Sequence, residues 1–122
     1  MVRIIAVQSI ENYFQKHANS KDILEAWAAI VRQCTWTCPL DIVETFGKKA
    51  VDILGKKDTK AETTPPNRVV LDVGGNNLRI IAKYQFHVKQ KMCWLFIKWI
   101  GTHAEYDKIC AKKQQYDIDI YK

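Results

Sequence analysis

Arg79 and Lys83 stand four residues apart in a segment, Leu78 to Val88, whose apolar and polar residues alternate. On a strand that spacing sends both cations to the same face. Lys98 lies in the next apolar segment. A two-residue connection at Lys89-Gln90 pairs position 81 with position 98 and brings Lys98 beside Arg79 and Lys83. A three-residue connection turns Lys98 to the opposite face, and Lys-Gln is poor turn sequence, so the register stays open. Three cations on one face suit a phosphate, because Arg grips two oxygens at once and Lys adds a point charge. His103 supplies what cations lack, a group that exchanges protons near neutral pH. It follows Thr102 in Thr102-His-Ala-Glu105, a capping-box pattern that places it in the first turn of a helix, beside free amides that favour anions. The competing readings are a solvated cationic surface and an ordinary surface histidine.

A basic face with a histidine and no ligand cluster for a catalytic metal suits RNA scission. RNA carries its own nucleophile, the 2′-hydroxyl; a base takes its proton, cations stabilise the phosphorane and an acid protonates the leaving 5′-oxygen. Lys89 and Lys91 add candidate RNA-binding cations at the connection between the two segments. Trp94, Phe96 and Trp99 are candidates for stacking on bases, with burial in the core as the alternative. His17 and His87 have no comparable setting. Gly74-Gly75-Asn76 lacks the spacing of a dinucleotide-binding turn, and no activated serine or nucleotide-phosphate loop is present. Cys34-x-x-x-Cys38 is half of a zinc pattern without its second half, so Cys34, Cys38, Cys93 and Cys110 are expected as reduced, buried apolar residues.

The charge is localised. The 122-residue chain has a net charge of +6. Residues 74–113 carry eight Lys/Arg against Glu105 and Asp107, whereas residues 1–73 balance ten against nine. That is the footprint of a polyanion-binding face. Apolar content of 48% and charged content of 26% describe an ordinary globular domain, with a single domain over 1–122. No apolar run reaches bilayer length and the first residues lack the form of a secretory signal, so a cytoplasmic address is expected.

These residues need elements to hold them. Residues 2–7 predict a short strand, Ser9 to about Ala18 a helix, and Ser20 the N-cap of a second helix with Ile23, Leu24, Trp27, Ala28, Ile30, Val31 and Cys34 as its apolar stripe. Pro39 opens a shorter helix with Leu40, Ile42, Val43 and Phe46 inward, ended by Gly47. Residues 47–67 read as a poorly defined connection, from which Val51, Ile53 and Leu54 dock on the core. Arg68–Val73, Leu78–Val88 and Met92–Ile100 then predict an antiparallel meander. A helix runs from His103 to about Lys113, with Tyr106, Ile109 and Cys110 inward. Residues 114–122 read as an edge strand or a tail. The fold class is α+β: a small antiparallel sheet packed against N-terminal helices, with a short C-terminal helix.

Two stretches carry a family likeness. Val69-Val-Leu-Asp-Val-Gly-Gly-Asn-Asn-Leu-Arg-Ile-Ile-Ala82 and Phe96-Ile-Lys-Trp-Ile-Gly-Thr-His-Ala-Glu-Tyr-Asp-Lys108 resemble the HigB toxins of bacterial toxin–antitoxin modules, within the wider RelE-like group. The resemblance implies a RelE-like fold and an endoribonuclease (an mRNA interferase) that acts on mRNA in the ribosome and needs no cofactor. It implies neutralisation by a HigA-type helix-turn-helix antitoxin. It carries Asn76, Arg79, Lys98, His103 and Tyr106 onto this chain. Arg79 with Lys83 and Lys98 would hold the scissile phosphate, His103 would be the base or the acid, and Tyr106 would orient RNA or His103. Asn76 joins the RNA-binding candidates, although its first role is the turn. The alternative is a non-catalytic RNA- or ribosome-binding module, such as a decayed toxin.

Overall fold

The computed structural model describes residues 1–5, 7–54, 67–75 and 77–120. Their order is β1 (Val2–Ile5), α1 (Val7–Lys16), a 3-10 turn (Ala18–Ser20), α2 (Lys21–Gln33), α3 (Pro39–Phe46), β2 (Val51–Leu54), β3 (Arg68–Val73), β4 (Leu78–His87), β5 (Met92–Thr102) and α4 (His103–Ala111). The strands form one sheet in the order β1-β5-β4-β3-β2. The α+β class expected from the sequence is therefore present, with α4 as the short C-terminal helix. Among the described residues no helix is long and apolar enough to cross a membrane.

The sheet buries both faces, unequally. Val69, Leu71, Val73, Leu78, Ile80, Ala82 and Tyr84 alternate toward Leu24, Trp27, Val31, Trp36 and Ile42 of the helical layer. The opposite face contributes Val70, Ile81 and Trp99 to a smaller cluster closed by Tyr106 and Ile109 of α4. Strand alternation thus divides β4 between two cores, as its period of two requires.

Several local expectations need correction. Helix α1 begins at Val7, so the first strand is shorter than residues 2–7. Ser20 is at the N-cap of α2, but its hydroxyl donates to the His17 carbonyl at 2.6 Å instead of capping, because the preceding 3-10 turn offers that acceptor first. Ile30 and Leu40 were expected inward and are exposed, at 51% and 59%. Each lies on the flank of a stripe already filled, by Trp27 and Val31 on α2 and by Ile42 on α3. Residues 51–54 form an antiparallel edge strand on β3, whereas residues 55–66 lie outside the described region. Strand β1 joins the sheet in parallel, beside β5, so the sheet is not purely antiparallel. Cys93 is buried, but Cys34 and Cys110 are partly exposed and Cys38 is exposed. No strand is formed over 114–120.

The β3–β4 turn approaches α2 closely. Gly74 and Gly75 both have positive φ, +67° and +63°. A Cβ at Gly74 would meet Ile23 Cγ2 at 2.6 Å, whereas one at Gly75 meets nothing within 4 Å. Gly75→Ala is therefore expected to cost about 1 kcal/mol through backbone strain alone. Gly74→Ala should cost roughly 1–3 kcal/mol more through overpacking. Urea unfolding of the two variants measures the difference, and equal losses would mean that Ile23 yields freely.

Candidate functional site

The β4–β5 ladder decides which side chains share the second face. From His87↔Met92 to Ala82↔Ile97 the pairing follows the register of a two-residue connection. It then shifts, and Ile81 pairs with Trp99. Lys98 is the inserted residue of a β-bulge, so Lys98 and Trp99 together oppose Ile81. Lys98 consequently shares the face of Arg79 and Lys83. The connection itself is longer than two residues: a 3-10 turn over Val88–Gln90 followed by Lys91 at φ +52°.

Sharing a face does not gather the three cations. Arg79 and Lys83 are four residues apart along β4, about 14 Å. Each has different company. Arg79 binds Asp72, its cross-strand partner, at 2.9 Å, and its guanidinium lies 5.1 Å from the centre of the Tyr106 ring. Lys98 Nζ binds Asp119 Oδ2 at 3.2 Å and lies 5.9 Å from the Phe96 ring. Lys83 is exposed. Lys89 and Lys91 are exposed at the far end of the hairpin, and the Lys91 carbonyl accepts from the N-terminal amine at 2.9 Å. Asn76 lies outside the described residues.

Arg79 and His103 are placed at the same end of the sheet. Arg79 pairs with Gly101, two residues before His103. The capping box expected at Thr102 is formed: the Thr102 hydroxyl accepts from the Glu105 amide at 3.2 Å, and the Glu105 carboxylate accepts from the Thr102 amide at 2.8 Å. His103 is thereby held in the first turn of α4. Its Nδ1 lies 3.2 Å from Asp107 Oδ2, one helical turn on, and its side chain is 42% exposed. Gly101 matters here because a Cβ would collide with the Trp99 ring. Its absence lets Trp99 lie against the end of the strand and pack on Tyr106, with ring centres 6.1 Å apart. Tyr106 is buried under these neighbours, and burial pushes its phenol well above the usual range, with Cys110 and Asp52 adding to the effect. It stays a neutral phenol and supports Arg79 with its ring face. Burial also pushes the Cys93 thiol up to about 11, which keeps it an inert core residue.

Residues 115–120 return to the same face. Arg68 Nη1 donates to the Ile118 carbonyl at 2.7 Å and to the Gln115 carbonyl at 3.3 Å, and the Ile120 amide donates to the Lys98 carbonyl at 3.1 Å. Partial burial lowers the Arg68 guanidinium from its ordinary value, and the Asp119 and Asp117 carboxylates oppose that shift. Asp72, Asp119 and Arg68 were missed in the sequence. Asp72 was recoverable, since a four-residue turn through Gly74-Gly75 sets it opposite Arg79. Asp107 was recoverable from its spacing to His103. Asp119 acts from beyond the last helix, and nothing local marks its partner.

The family model for the HigB toxin, described as the RelE-like toxic component of a toxin-antitoxin system, matches residues 20–109. Over 40 residues the chain is 58% identical to the mRNA interferase HigB of Escherichia coli O6:H1, a match covering 33% of this chain and 35% of that relative. The chain therefore spans about a third of that relative's length. It is also 22% identical over 116 residues to an isoleucine–tRNA ligase of Syntrophomonas wolfei, covering 92% of this chain and 12% of the ligase.

The Tyr106 phenol ties stability to alkaline pH. Its folded-state value is raised above the usual 10.0, so ionisation favours the unfolded chain. Stability from this group is full below pH 10 and falls as pH rises beyond it. Tyr106→Phe should flatten that fall by up to about 1.4 kcal/mol per pH unit, the value for one proton. Tyr84 and Cys93, also raised, leave a residual slope. Urea unfolding at pH 8 and above pH 10 reads the change; an unaltered slope would mean that the phenol ionises alike in both states.

Proposed function

The chain belongs to the HigB toxin family, and from that membership we propose that it is an endoribonuclease toxin that cuts mRNA at the Arg79–His103 end of its sheet. The observation that carries this reading is that β4 and the β5–α4 junction put a pre-oriented guanidinium and a half-exposed imidazole in a capped first helical turn at the same end of the sheet. Asp107 beside Nδ1 favours the tautomer with its proton there, leaving Nε2 free as a base. Nε2 takes the proton of the 2′-hydroxyl, and the oxygen attacks the adjoining phosphorus. Arg79, steadied by Asp72 and Tyr106, stabilises the equatorial charge of the phosphorane. The P–O5′ bond breaks, the 5′-oxygen takes a proton from solvent water or from the His103 imidazolium, and a 2′,3′-cyclic phosphate remains; any proton left on Nε2 returns to solvent. The nucleophile belongs to the substrate, so the scheme needs no metal-activated water. Tyr106 is a positioning residue acting through Arg79, and Lys83 and Lys98, with Lys89 and Lys91, guide the strand.

The family likeness supports mRNA on the ribosome as the substrate and a HigA-type helix-turn-helix antitoxin as the partner. A second reading, a binding module without cleavage, is favoured by one observation: Arg79 and Lys98 each already hold a carboxylate, Asp72 and Asp119. The two readings separate by primer extension on translated and free mRNA, with the induced toxicity of the same variants as a second measure. The wild type should cleave, and His103→Ala and Arg79→Lys should each cleave at least roughly 100-fold more slowly, within the range for losing a proton-transfer group or an electrostatic stabiliser. Equal cleavage by folded variants would remove both residues from the mechanism. Salt-sensitive binding without scission would establish the module reading instead.

A further inference from the structure

The half of the second face nearest the β4–β5 turn carries side chains that the reaction end does not use. The register sets them in transverse rows. Arg68 of β3 opposes Lys83 of β4, which opposes Phe96 of β5. In the next row Gln85 opposes Trp94, and Trp94 opposes Arg3 of β1. His87 opposes Met92 in the last. Their chain neighbours Val2, Ile4, Cys93 and Leu95 are buried in the core on the helical side, so alternation sends Arg3, Trp94 and Phe96 to the second face.

Three aromatic rings run down this strip. Phe96 and Trp94 have centres 6.3 Å apart, and Trp94 and His87 4.7 Å apart. All three are half-buried, and the small apolar cluster beneath α4 does not include them. Arg3, Lys83, Lys89 and Lys91 around them are exposed. Neither β1, β4 nor β5 contains an Asp or Glu. Residues 115–120 bound the strip on the α4 side, where they engage Arg68 and Lys98.

We infer that this strip is a second RNA site, which stacks bases of a single-stranded segment on Trp94 and Phe96 while Arg3 and Lys83 neutralise its phosphates. An apolar protein partner would use the rings but not the ring of cations. A duplex would use the cations but not the rings. Single-stranded RNA uses both. The inference rests on the RNA reading above, but the site is distinct from the reacting end: Lys83, opposite Phe96, and Gln85, opposite Trp94, lie four and six residues from Arg79 along β4, about 14 and 20 Å. It holds the strand several nucleotides from the scissile bond.

The indoles give a direct probe. Trp27, Trp36 and Trp99 are buried, at 4%, 1% and 7% exposure, so Trp94 is the indole that RNA can reach. The ligand is a fully 2′-O-methylated single-stranded 12-mer, which lacks the nucleophile and so reports binding alone. It should quench the wild-type fluorescence, with an affinity that falls as salt rises. Trp94→Phe should keep the affinity and abolish the quenching. Trp94→Ala should weaken binding about tenfold, as for the loss of one stacked base. Arg3→Glu, an exposed change that spares folding, should weaken binding and shallow the salt slope. Undiminished affinity in folded Trp94→Ala and Arg3→Glu, or no quenching in the wild type, overturns the proposal. So does a result in which these variants keep RNA affinity and lose capture of a co-expressed antitoxin, which would make the strip a protein interface. Quenching without scission in the wild type would retain this site and sink the nuclease reading.

Discussion

The side chains proposed to meet RNA are aimed by the pairing of β4 with β5 and by the one residue inserted into it. Without the bulge at Lys98, Trp99 would face the helical layer, where Ile97 and Ile100 already lie buried. With it, two successive residues, Lys98 and Trp99, turn to the second face. The indole becomes the floor on which α4 docks, and the ammonium remains among the cations. The site therefore depends on a local failure of strand alternation, in a sheet that otherwise obeys it.

The end of the sheet where β5 passes into α4 is arranged for order. Thr102 and Glu105 satisfy each other's amides, Gly101 makes room for Trp99, and Trp99 packs on Tyr106. Tyr106 in turn presents its ring to the Arg79 guanidinium, which Asp72 fixes from the neighbouring strand. An arginine held on two sides loses little freedom on meeting a phosphate. The same contacts explain why a buried tyrosine sits beside a charge without carrying one.

Much of this was legible in the residues, for physical reasons. Alternation exposed β3, β4 and β5, and the four-residue pattern at Thr102 fixed the start of α4 and so the setting of His103. Interactions across longer separations were less visible. The hairpin's register was open because a bulge and a 3-10 turn, neither encoded by the pattern, together determine it. Val51–Leu54 looked like a docking segment because four residues show little periodicity. Ile30 and Leu40 show that an apolar residue at the flank of a filled stripe stays in solvent. The grip of Asp119 on Lys98 depends on how the chain returns after α4, which no local rule encodes.

The parallel seat of β1 against β5 has a consequence in time. Residues 2–5 leave the ribosome early, but their partners, residues 93–96, are made about ninety residues later. Until then the opening strand has an unpaired edge, while α1, α2 and α3 have already been translated. Because β5 lies between β1 and β4 in the sheet, its arrival completes two ladders at once. Such pairings, distant in sequence, carry a large loop-closure cost and form slowly. His103 follows β5 directly, so the Arg79–His103 end of the sheet cannot assemble until β5 has been synthesised.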